Sequence, residues 1–157
     1  MMKSIRKFAA SLAVCFGAGA VGGLFTATSV NSWFSQLSRP EFAPPNWVFA
    51  PVWNILYLLM AVSLYFVWSS DGQKTKKLAL LAFAFQLVLN IAWSAVFFGL
   101  RSPVGGFVVI LVLIAAILWN LFLFGRISRK SALLLLPYLG WVGFAGYLNF
   151  GYWILNR

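Results

Sequence analysis

Uncharged polar residues and aromatic rings recur at helical spacing in three stretches of this sequence, and they carry its most specific chemistry. Trp53 and Tyr57 lie four apart. Gln86, Asn90, Trp93 and Phe97 share one face of a second stretch, while Tyr138, Trp141, Ala145, Leu148 and Tyr152 follow a face of a third, with Asn149 beside it. Rings that converge with two or three amides suit a flat, largely apolar ligand bearing a few hydrogen-bonding groups. Each aromatic pair adds about 0.5–1.5 kcal/mol beyond area burial. A plainer role is open for each amide: Gln86, Asn90 and Asn149 can hydrogen-bond between helices, which averages roughly 0.6 kcal/mol per pair in a membrane.

Other chemistries lack their residues. There is no histidine, and the two carboxylates, Glu41 and Asp71, lie outside the apolar stretches. No stretch has an ionisable group near its centre, so proton relays, ion pathways and acid–base catalysis have nothing to work with. Cys15 is the single cysteine and three Met are the other soft ligands. A disulfide framework within the chain, a Cys-rich metal site and imidazole ligation of haem iron are therefore excluded, and no metal site or obligatory cofactor is expected.

The elements that must position these residues are membrane spans. Of 157 residues, 62% are hydrophobic and 9% charged, and the mean hydropathy is +0.90. A helical crossing needs about 20 apolar residues, and five runs qualify: 8–28, 48–69, 78–98, 104–124 and 133–155. The expected fold is all-α, an integral membrane bundle of five transmembrane helices forming one domain over 1–157. The connection 29–47 is the long one, and Pro40, Pro44 and Pro45 break helix within it, which makes it a lid over one end of the bundle. An odd span count without visible repeats does not suit an inverted-repeat transporter.

Charge supplies the orientation. Twelve Lys and Arg face two acids, a formal charge of +10. The cations sit in short clusters between apolar runs instead of forming the continuous basic face that nucleic acid requires. Lys3, Arg6, Lys7, Lys74, Lys76, Lys77, Arg126, Arg129 and Lys130 fall on one side, and Arg39, Arg101 and Arg157 on the other. Nine against three predicts a cytoplasmic N-terminus, with the lid and the C-terminus on the opposite side. The alternative for the first span is a cleaved signal peptide; its length of about twenty residues favours retention, and Val14 before Cys15 spoils a lipoprotein box. Gly19 and Gly23 form a GxxxG, which suits close helix packing and is equally ordinary glycine content for a membrane helix. Trp33, Trp47 and Trp153 are expected as interfacial belt anchors.

Three motifs in fixed order then become distinctive. Trp33, Phe34, Leu37, Arg39 and Pro40 lead through Phe42, Pro44, Pro45, Trp47, Phe49 and Pro51 into Trp53 and Tyr57. The third span carries Gln86, Asn90, Trp93, Ser94, Phe97 and Phe98; the fifth carries Pro137, Tyr138, Trp141, Phe144, Ala145, Leu148 and Asn149. Over essentially its whole length the sequence resembles the tryptophan-rich sensory protein family, also called the TspO or translocator protein (peripheral benzodiazepine receptor) family.

The resemblance implies a five-helix bundle, commonly dimeric, that binds porphyrins (protoporphyrin or haem) as ligands, with benzodiazepine-type compounds and, in animal members, cholesterol. It implies a pocket lined by Trp53, Gln86, Asn90, Trp93, Trp141 and Ala145, with the first loop as lid. Porphyrin transport, stress signalling and light-dependent porphyrin breakdown are associated with the family, and Trp53 and Trp141 would carry such breakdown. Two positions depart from the common pattern: Phe34 stands where Tyr is frequent, removing a hydroxyl, and Arg39 stands for the usual Lys and keeps the charge. Leu148, Tyr152 and Arg157 also fit a loose sterol-recognition pattern.

Overall fold

The computed structural model describes residues 2–71 and 75–157; Lys74, counted above among the nine, lies outside them. Five helices follow one another: α1 (Met2–Ala27), α2 (Phe49–Ser69), α3 (Lys76–Ser94), α4 (Pro103–Ile127) and α5 (Arg129–Leu155). All five are long and apolar enough to cross a membrane. No strand occurs among the described residues. The protein is a helical membrane bundle.

The helices outrun the apolar runs at their charged ends. α1 extends through its basic N-terminal segment, and α5 begins at Arg129, four residues before its apolar run. A charge ends hydrophobicity without ending a helix; capping does that. Ser102 accepts a hydrogen bond from the Gly105 N–H through its side chain ahead of Pro103 in the first turn of α4, and Ser128 does the same for the Ser131 N–H at the start of α5. At its far end α3 passes into a π-helical turn, Ala95–Gly99, which buries both Phe97 and Phe98.

Packing runs in the cyclic order α1, α2, α5, α4, α3 and back to α1. At the end bearing the N-terminus the bundle is filled. Phe83 stacks on Phe124 at 5.6 Å, Met60 and Leu135 are fully buried, and Ser63 donates to the Ser131 carbonyl at 2.8 Å. Here α1 is tied to α2 by Ser4 with Tyr65 and by Lys7 donating to the Trp68 carbonyl. Towards the lid end α1 leans on α3 instead. Ser29 donates to the Phe98 carbonyl at 2.6 Å, Gly22 passes close to Ser94, and Gly99 makes room for Phe25. Among the described residues no such hydrogen bond ties the loop end of α2 to α1, and a cavity occupies the space between them.

The first loop is fastened at three places. Ser38 and Asn156 bond reciprocally, N–H to Oδ1 at 2.8 Å and Nδ2–H to the carbonyl at 3.0 Å. Pro40 is buried against Gly151, where an added Cβ would come within 2.5 Å of the proline ring. Tyr147 donates to the Glu41 carbonyl. This stretch of loop is a strap across the lid end of α5.

Candidate ligand cavity

The cavity measures about 760 Å³, within the range of roughly 300–1,000 Å³ typical of small-molecule sites. α1 gives it a wall of small residues, Gly19, Ala20, Gly22, Gly23 and Ala27, with Phe16 and Thr26, and Val30 follows in the turn after the helix. α2 contributes Ala50, Trp53, Asn54 and Tyr57, α3 and its π turn contribute Asn90, Trp93, Ser94, Phe97 and Phe98, and α5 contributes Ala145, Leu148, Asn149 and Tyr152. Phe34, Asn46 and Phe49 close it from the side of the loop. Among the described residues no Asp, Glu, Lys or Arg lines it.

Aromatic rings form its densest part. Trp53 stacks on Tyr57 at 5.6 Å and 28°, and stands 6.5 Å from Trp93. Trp93 in turn stacks on Phe97 at 5.7 Å. Trp33 and Phe34 of the loop meet Phe97 edge-on, and Phe34 also packs on Phe98 and Tyr152. Phe34 thus fills its place by ring packing alone.

The polar groups of the floor are bonded to one another. Tyr57 donates to Asn90 Oδ1 at 2.7 Å, Asn90 Nδ2 donates to the Tyr138 hydroxyl at 3.1 Å, and that hydroxyl donates to Gln86 Oε1 at 2.9 Å. Gln86 ends the chain against the Met60 sulfur. A second pair lies nearer the lid end, where α4 begins: Trp93 Nε1 donates to Asn149 Oδ1 at 2.9 Å, and Asn149 Nδ2 to the Pro103 carbonyl at 2.6 Å. Both readings of the amides therefore meet in Asn90 and Asn149, which bridge helices and face the cavity.

Of the residues expected at a ligand site, Trp53, Tyr57, Asn90, Trp93, Ala145 and Leu148 come together on the cavity wall. Gln86 and Tyr138 do not. They lie one layer below it, fully buried in the hydrogen-bonded chain. Trp141 is further displaced: it packs edge-on against Phe49 and lines a separate groove between α2 and α5 with Val52, Leu56 and Pro137. Ala145, one turn on and on nearly the same helical face, lines the cavity, while the Trp141 ring is held against Phe49 of α2. In the loop, Arg39 donates to the Pro44 carbonyl at 2.6 Å and Trp47 is exposed. Pro45 precedes the short turn Asn46–Val48 that leads into α2. Trp33 is half-buried on Phe97, which lines the cavity.

The sterol pattern is split by the fold. Leu148 and Tyr152 are buried in the cavity wall and Arg157 is exposed at the chain end, so the three form no stripe that faces lipid. Spacing does not flag the wall of α1, nor Asn46 and Asn54. The signal was present for the former, since Gly19, Gly23 and Ala27 recur at steps of four.

The comparisons with known proteins agree with this architecture. Residues 11–154 match the profile of the TspO/MBR family. The "Tryptophan-rich protein TspO" of Archaeoglobus fulgidus is 42% identical over 154 residues, 98% of this chain and 99% of the relative. Its namesake in Chlorobaculum tepidum is 40% identical over 157 residues, 99% of each chain. The human "Translocator protein" is 36% identical over 139 residues, 87% of this chain and 82% of that protein. With a match that spans every helix and relatives that align almost end to end, this chain belongs to the TspO/MBR family.

Proposed function

We propose that this membrane protein is a receptor or carrier whose cavity binds porphyrins and similar flat apolar molecules. The observation that carries the reading is the cavity itself: about 760 Å³, walled by Trp53, Trp93 and Phe97 on one side and by the small residues of α1 on the other. A flat ring can slide against the glycines and stack on the indoles, gaining apolar burial without displacing a charge. No cofactor is needed for such binding. Protoporphyrin or haem is the ligand, held without imidazole coordination of its metal.

Tryptophan fluorescence of the detergent-purified protein, titrated with protoporphyrin IX and with haem, tests this. Saturable quenching by both at micromolar concentrations is expected. Trp53→Phe is expected to weaken binding several-fold, since it removes the ring that spans Tyr57 and Trp93. Trp141→Phe is expected to leave affinity within about twofold, because Phe49 stands between that indole and the cavity. Unsaturable quenching in the wild type would sink the reading.

Light-driven breakdown of the bound porphyrin is a second reading favoured by one observation. Trp53 sits in ring contact with Tyr57, Trp93 and Tyr138, an arrangement suited to passing an electron to or from an excited ligand. Illumination in air with wild type and Trp53→Phe separates the two readings: equal product from both would leave binding alone.

A further inference from the structure

The hydrogen-bonding groups at the cavity floor are already spent on the protein. Asn90 is engaged there by Tyr57 and Tyr138, and nearer the lid end Asn149 is engaged by Trp93 and by the carbonyl of Pro103, the first residue of α4. A charged or strongly polar ligand edge driven into this floor would have to break those bonds, and buried groups left unpaired are costly. The groups still available lie at the opposite, lid end. Asn46 and Asn54 stand exposed on the cavity wall, and Asn54 uses one amide hydrogen on the Ala50 carbonyl, which leaves the other to donate.

Arg39 adds a charge at the same end. Its Nη2 donates to the Pro44 carbonyl, two residues before Asn46, and its guanidinium lies beside the hydroxyl of Tyr152, whose ring lines the cavity. A guanidinium carries five N–H donors, so these contacts leave others free. The strap holds the group in place, since Ser38 is bonded to Asn156 and Pro40 is seated on Gly151 on either side of it. Glu41 is exposed and its main-chain carbonyl is turned to Tyr147, which does not line the cavity.

We propose that the cavity takes an amphipathic carboxylate end-on. The flat apolar body lies among Trp53, Trp93 and Phe97, and its carboxylates stay at the lid end against Arg39, with the amides of Asn46 and Asn54 beside them. This rests on the porphyrin reading above and fixes which edge of the ring points inward. Arg39 then determines specificity: it separates a porphyrin acid from the neutral ester of the same ring. A forked, charge-assisted bond to a carboxylate disappears on esterification, whereas the stacking surface does not change.

The full chain in a non-ionic detergent is titrated with protoporphyrin IX and with its dimethyl ester. Wild type is expected to hold the acid about tenfold tighter than the ester, the ratio that loss of one such interaction gives. Arg39→Gln is expected to abolish that preference while leaving the ester's affinity unchanged, and Arg39→Lys to retain most of it. Raising the salt should weaken only the acid. Equal binding of acid and ester by wild type, or equal weakening of both by Arg39→Gln, overturns the orientation and leaves the cavity reading standing. If neither probe binds wild type saturably, the porphyrin reading falls and the orientation with it.

Discussion

Asn90 shows how one side chain can serve two structural demands at once. It lines the cavity, and it is the middle link between the hydroxyls of Tyr57 on α2 and Tyr138 on α5. Asn90→Ala would leave the buried Tyr57 hydroxyl without its acceptor and Tyr138 with only its bond to Gln86, at a cost of about 1–3 kcal/mol for a buried group left unsatisfied. The expected outcome is a clear fall in thermal stability in detergent, with porphyrin affinity changed less than about threefold in the protein that remains folded, since the ligand gains little from an amide already engaged. Lost affinity at unchanged stability would show instead that the amide is spent on the ligand. Spacing placed Gln86, Asn90 and Trp93 on one helical face. It could not tell which of them reaches the cavity and which stops a layer below, because that depends on how far α5 approaches and on where the Tyr138 hydroxyl lies. Trp141 makes the same point: its distance from Ala145 is one turn, yet its ring is claimed by Phe49 on the neighbouring helix.

Among the elements, α1 is the one whose contribution was hardest to read. Its two GxxxG glycines do different things. At Gly19 an added Cβ would lie 2.5 Å from the Tyr57 ring, so the glycine permits a close approach; at Gly23 nothing lies within 4 Å, and the glycine leaves the cavity its width. Gly19→Ala is therefore expected to destabilise the bundle by pushing Tyr57 off Asn90. Gly23→Phe is expected to keep wild-type stability and to reduce porphyrin affinity at least about tenfold by occupying the cavity, in line with the loss of a ligand's stacking surface. Thermal unfolding and fluorescence titration of the two variants would check the contrast; an unaffected affinity in Gly23→Phe would mean that the wall of α1 does not touch the ligand. The five spans themselves were legible because lipid demands long apolar runs, and the helix-breaking prolines of the loop were legible for steric reasons. The π turn of α3 was not, since it is fixed by a tertiary bond from Ser29 to the Phe98 carbonyl. Nor was the seat of Pro40 on Gly151, which joins residues more than a hundred positions apart.

On the scale of the whole molecule, charge and cavity lie at opposite ends. Arg6, Lys7, Lys76, Lys77, Arg126, Arg129 and Lys130 gather where α1, α3 and α5 begin and α2 and α4 finish, and the filled half of the bundle stands behind them. The cavity and its strap occupy the other half, with Arg39, Arg101 and Arg157. Because short basic loops stay on the cytoplasmic side, the closed half should face the cytoplasm and the cavity should approach the opposite surface. A ligand would then be received from outside the cytoplasm or from the outer leaflet, with the packed layer of Phe83, Phe124 and Met60 between it and the interior. Single cysteines at Ser35 and Lys130, introduced with Cys15→Ser, test this in intact cells using a membrane-impermeant maleimide. Ser35→Cys is expected to label without permeabilisation and Lys130→Cys only after it, since Ser35 is exposed in the first loop and Lys130 is exposed at the start of α5. The reverse pattern would turn the cavity towards the cytoplasm and make it a receiver of ligands made inside the cell.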